Sequence, residues 1–228
     1  MITTSLKART VRLDGQPPNL INEAGENGLL WREASGGIAG NGVAMRIDLP
    51  GGLADLDSVR EAVRLLGTIE AEDEVGLPGC GPVAIGALPF DRTAPACLVV
   101  PHRVVGRYGS HSWVTTISPA EEDEIRARPE GSLPDHFTLA STMSHEDWKA
   151  VVAGALDAIK REEFRKVVLA RRVEITSNRP FDVTDVLSRL EALYPSCMVF
   201  SVNGFIGASP ELLVRRQGLA VESHPLAG

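Results

Sequence analysis

The spacing between apolar runs is what most limits the folds open to this chain. Residues 96–108 and 111–117 read as strands, and only Gly109-Ser110 separates them. Residues 197–202, 211–216 and 219–223 follow one another almost as closely. A parallel crossover takes a dozen or more residues, usually a helix, so such neighbours must pair antiparallel. Gly109-Ser110 has the length and chemistry of a hairpin turn. Further strand-like runs lie at 28–34, 41–49, 81–90 and 166–175, and the glycine-rich stretch 35–42 reads as a loop. Residues 1–27 are polar with weak periodicity, and 119–135 form a charged, proline-bounded linker.

Three helices punctuate these strands. Over 55–70, Leu56, Val59, Val63 and Leu66 recur at helical spacing, with Asp55 or Asp57 as cap. Over 144–161, Ser144 caps and Asp147 stands at the third helical position, before apolar Trp148, Val151, Val152 and Leu156. The third spans 182–194, capped by Asp182 or Thr184. Strand groups separated by helices predict an α+β fold with antiparallel-rich sheets flanked by helices, not a doubly wound parallel sheet.

Composition narrows the function classes. With 43% hydrophobic and 23% charged residues over 228 positions, the chain is globular and long enough for a sizeable core. A net charge of −7 argues against nucleic acid as a partner. A small anionic substrate would then need local cations or a metal. Three scattered cysteines without a C-x-x-C pair read as reduced thiols in a cytoplasmic protein. No signal peptide and no apolar run of 18 residues is present, so no membrane partner is expected.

Two charged residues are candidates for chemistry. If 166–175 is a strand, Lys166 shares a face with Val168 and Ala170, where partial desolvation would favour its neutral amine. Glu211 follows a Ser209-Pro210 corner and begins a strand, a common position beside a cleft. On pattern alone each is more often a solvated surface charge. "GASPE" lacks the second glycine of a nucleophile elbow, and "GGIAGNG" lacks the Lys-Ser/Thr of a phosphate loop. The five histidines show no chelating spacing, and Glu121 to Glu124 read as a solvated helix start.

In order, "KVVLARR" (166–172), "FIGASPELLVRR" (205–216) and "ESHPLAG" (222–228) resemble successive signatures of the chorismate-utilising enzymes. That family includes isochorismate synthase, salicylate synthase, and the large components of anthranilate and aminodeoxychorismate synthases. Upstream, "LLWREASGGIAGNGVAMRI" and "GPVAIGALPFDRTAPACLVVP" are similar to the N-terminal half of isochorismate synthases, so the resemblance covers most of residues 28–228. Members that add ammonia carry Gln where Lys166 stands, whereas those that add water carry Lys. Ala227 stands where the aminodeoxychorismate enzymes have Lys, and no "LLES"-like tryptophan-binding segment is found.

The resemblance therefore implies water addition at C2 of chorismate with loss of the C4 hydroxyl. Lys166 would be the general base and Glu211 the general acid, so the amine must be neutral and the carboxyl protonated. Those states are opposite to the free side chains, as in an acid/base pair. Ala227 and Gly228 would bring backbone close to a substrate carboxylate. Mg²⁺ is implied as cofactor, with its glutamate ligands expected beyond Gly228, so no metal ligand is assigned within 1–228. Residues 1–228 are expected to be the N-terminal portion of a single chorismate-binding catalytic domain, acting as a monomer. The implied product is isochorismate. Salicylate, formed by further loss of pyruvate, is the alternative, as is a portion that folds without turning over. Siderophore and menaquinone pathways both remain open.

Overall fold

The computed structural model describes residues 5–119 and 133–224. The chain divides into two compact units: Met1–Arg128 with Asp182–Glu211, and Pro129–Phe181 with Leu212–Gly228. The fold is α+β, and its sheets are antiparallel except for one pair.

The first unit is built on an eight-stranded sheet. Its strands are β1 (Lys7–Leu13), β2 (Leu29–Glu33), β3 (Gly36–Asn41), β5 (Glu70–Asp73), β7 (Arg103–Tyr108), β8 (His111–Ser118), β11 (Met198–Val202) and β12 (Phe205–Ser209). They run in the order β12-β11-β2-β3-β7-β8-β1-β5. A separate ribbon pairs β4 (Met45–Leu49) with β6 (Ala96–Val100). Helices α1 (Leu20–Ala24), α2 (Leu56–Leu66) and α4 (Val183–Leu193) complete this unit.

Alternation along the strands sorts side chains to two faces. Leu30, Ala39, Val105 and Val199 pack against Leu20, Ile21 and Ala24 of α1 and Leu187 of α4. Ala8 and Ile117 pack on the other face with Ile47, Leu49 and Val100 of the ribbon, and with Ala62 of α2. Trp113 fills the space over Gly106, where a Cβ would lie 2.2 Å from the indole ring. Its Nε1–H donates to the Gly79 carbonyl at 3.3 Å. Buried hydroxyls are satisfied as well: Thr10 and Thr115 pair at 2.8 Å, and the Gly81 amide donates to Thr10 Oγ1.

Several local expectations hold. Tyr108 and His111 face each other across the Gly109-Ser110 turn. Asp55, Ser144 and Asp182 each cap a helix through backbone amides. The α2 stripe is rotated, however: Ala62 is buried and Leu65 and Leu66 are partly buried, while Val63 and Leu56 stay exposed.

Other expectations need correction. Most of the glycine-rich 35–42 is a central strand, β3 over Gly36–Asn41, not a loop. A Cβ at Gly36 would lie 2.1 Å from the Arg107 carbonyl oxygen, and one at Gly37 would lie 2.2 Å from that of Trp31. Glycine is what this close approach requires. Residues 81–90 form only a bridge between Ile85 and Val99, because Pro82 and Pro89 cannot donate to a ladder. The run 96–108 breaks at Pro101-His102 into β6 and β7. "FIGAS", which leads into the Ser209-Pro210 corner, is β12, turned from β11 by Asn203 and Gly204, both at positive φ.

The second unit holds β9 (Phe137–Ser141) paired with β10 (Val173–Ser177), β13 (Leu212–Gln217) paired with β14 (Ala220–His224), and α3 (His145–Lys160). It buries little: both strands of each ribbon are mostly exposed, and Ala158 is the buried residue of α3.

Candidate functional site

Lys166 lies in the second unit, on the segment joining α3 to β10. The helix ends with Arg161, whose amide donates to the Asp157 carbonyl, and Glu162 turns the chain at a φ of 60°. The strand expected from 166 begins only at Val173. Its partner β9 ends at Ser141, opposite Val173, and one further bond, Thr142 amide to Arg172 carbonyl, closes the ladder. Among the described residues, no backbone pairs with 166–171 to continue the ladder. The face shared with Val168 and Ala170 therefore does not form, and Lys166 is exposed. The segment is tied to α3 where the Arg171 guanidinium lies 6.0 Å from the Trp148 ring centroid.

Glu211 is the last residue of the first unit, between β12 and β13. Its amide donates to Ser209 Oγ at 3.2 Å, which shapes the Ser-Pro corner. The residue is exposed and precedes the strand rather than opening it. The sheet thus fixes where Glu211 emerges, while Lys166 is placed by the α3 C-terminus and the β9–β10 ribbon. Ala227 and Gly228 lie outside the described residues, as does the acidic run 121–124.

Among the described residues, no group of three or more His, Cys, Asp or Glu is placed to hold a metal. Glu222 pairs instead with Arg215 at 3.2 Å. The described residues do not provide a Mg²⁺ site. No helix among them is long and apolar enough to cross a membrane.

One charged group escaped the sequence reading. Arg32 is largely buried and meets Glu191 of α4 at 2.7 Å. Its signal was available, since at period two Arg32 follows Leu30 onto the face that packs against α1 and α4.

The family model for chorismate binding enzymes matches residues 96–228, more than half of the chain, a range within which the four candidate residues fall. The isochorismate synthase DhbC of Bacillus subtilis is 30% identical over 158 residues, covering 64% of this chain and 37% of that protein. The isochorismate synthase EntC of Escherichia coli K12 is 30% identical over 152 residues, with the same shares. The fold matches a crystal structure assigned as the 2,3-dihydroxybenzoate-specific isochorismate synthase DhbC of Bacillus anthracis. There the TM-score is 0.64 at 26% identity, covering 92% of this chain and 51% of that one. The chain thus spans about half the length of this solved relative, and less of the curated ones. The chain belongs to the chorismate binding enzyme family.

Proposed function

We propose that this chain supplies the first part of an isochorismate synthase, converting chorismate to isochorismate. The observation that carries the reading is Lys166 within "KVVLARR", a lysine where ammonia-adding relatives have glutamine. The names of the matched relatives support the same substrate and product.

In this reading, Lys166 Nζ takes a proton from a water molecule as its oxygen bonds to C2 of the ring. The double bond shifts and the C4–O bond breaks. Glu211 gives its proton to the departing hydroxyl, which leaves as water. One water enters and one leaves, so the product is an isomer. Lysine ends protonated and glutamate ionised, and exchange with solvent resets both. Exposure of both side chains among the described residues means that water has to be excluded by other parts of the complete site before the amine can be neutral and the carboxyl protonated. Backbone at Ala227 and Gly228 would orient a substrate carboxylate. The reading includes a requirement for Mg²⁺, held by groups other than the described residues, and it treats both units as portions of one catalytic domain.

The test is product analysis with chorismate and Mg²⁺, using the complete reading frame that carries this chain. Isochorismate is expected, and fluorescent salicylate as the end product would overturn the reading. Lys166→Gln and Glu211→Gln should each lower kcat by about 100-fold or more with unchanged circular dichroism. Near-normal turnover of either variant would remove the role assigned to that residue.

A further inference from the structure

Two arginines flank a glycine in the sheet of the first unit. Cross-strand pairing sets Arg32 of β2 opposite Gly37 of β3, and Gly37 opposite Arg107 of β7. Directly paired residues share a face, so the three form one row with an empty position at its centre. Neighbouring strands are about 4.8 Å apart, which puts the two arginine backbones roughly 10 Å from each other across the glycine. The gap is enforced, because a Cβ at Gly37 would collide with the Trp31 carbonyl.

Above this row is a cavity of about 240 Å³, lined by Arg32, Arg107, Glu191 and the Pro17–Ile21 segment that leads into α1. Its charge is unbalanced, with two guanidinium groups and one carboxylate. Glu191 engages Arg32 through Nη2. Arg32 Nε and Nη1 are buried and, among the described residues, have no hydrogen-bond partner. Among the described residues, Arg107 Nη1 reaches only the Pro18 carbonyl, at 3.4 Å. Buried polar atoms are normally satisfied, and a guanidinium fork matches the oxygens of carboxylate or phosphate. The volume lies just below the range of drug-sized sites, so the occupant is small.

We propose that this cavity binds a small oxyanion, a carboxylate or phosphate group, held between Arg32 and Arg107. Glu191 holds the Arg32 side chain in place and also competes for it. The site uses neither Lys166 nor Glu211, so it stands or falls independently of the isomerase reading.

Isothermal titration of the full chain with inorganic phosphate and with benzoate, at ionic strength held constant with chloride, tests this. One-to-one saturable binding of at least one probe is expected, and the preferred probe identifies the head group. Arg107→Gln should weaken that binding at least tenfold. Glu191→Gln should tighten it severalfold, because it removes the competing carboxylate and frees Arg32 Nη2. A group that served only to hold the fold would not give opposite effects in the two variants. Failure of both probes to bind, binding unchanged in Arg107→Gln, or binding weakened in Glu191→Gln would each overturn the proposal.

Discussion

Trp113 and Leu213 are both large apolar side chains on antiparallel strands, yet Trp113 is 1% exposed and Leu213 82%. The contrast extends to the units that contain them. In the first, an eight-stranded sheet is covered on one face by α1 and α4 and on the other by the β4–β6 ribbon and α2. In the second, Leu139, Ile175, Leu213 and Val221 remain exposed on two-stranded ribbons. Both units have regular hydrogen bonding. What separates them, among the described residues, is a second layer. Backbone pairing within a hairpin is a local event, whereas burial needs another element to arrive from elsewhere, and an isolated hairpin is marginal in water.

The sharpest way to break this comparison is amide hydrogen exchange. Amides of β3 and β7, inside the sheet, should exchange about a thousandfold or more slowly than those of β9–β10 and β13–β14. Equal protection would mean that the ribbons are held by contacts other than their own pairing.

Side-chain truncation gives a smaller but more local contrast. Trp113→Ala should destabilise by about 3–5 kcal/mol in denaturant unfolding, because it empties the space over Gly106. Leu213→Ala should change stability by no more than about 0.5 kcal/mol. A large loss at Leu213 would show that β13 is packed in solution.

The smallest effect concerns the α2 cap. The Ser58 hydroxyl, followed by the Ser58 and Asp57 amides, holds the Asp55 carboxyl below the usual aspartate range. Its folded-state value is therefore depressed. The stability it contributes is present above the unfolded value and is lost as pH falls through the folded one. Carboxyl titration followed by NMR should place Asp55 below its value in Ser58→Ala, and coincident titrations would exclude the hydroxyl as the cause.

The sequence was legible where the cause is local. Asp55, Ser144 and Asp182 cap helices with side chains that reach amides two or three residues away. The Gly109-Ser110 hairpin depends on the turn alone, and Asn203-Gly204 carried an equally local turn signal that the strand reading passed over. Strand β3, Gly36–Asn41, was illegible because its glycines read as punctuation. Their cause is the backbone of Trp31 and Arg107, which only pairing brings near. The reverse happened at 166–172, where a strand-like pattern lacks partner backbone among the described residues. The ordered motifs around Lys166 and Glu211 revealed the family, but not that both side chains would be exposed.

By itself, then, the sequence determined the antiparallel character of the fold, the helix caps and the family, since short connections, caps and motifs act within a few residues of one another. Only the tertiary structure decided which faces are covered. It also decided that glycines form a central strand and that Arg32 and Arg107 flank Gly37. Those outcomes depend on backbone and side chains separated by tens of residues along the chain: alternation assigns Arg32 to the same face as Leu30, but which strands and helices meet that face is set by register and layer packing.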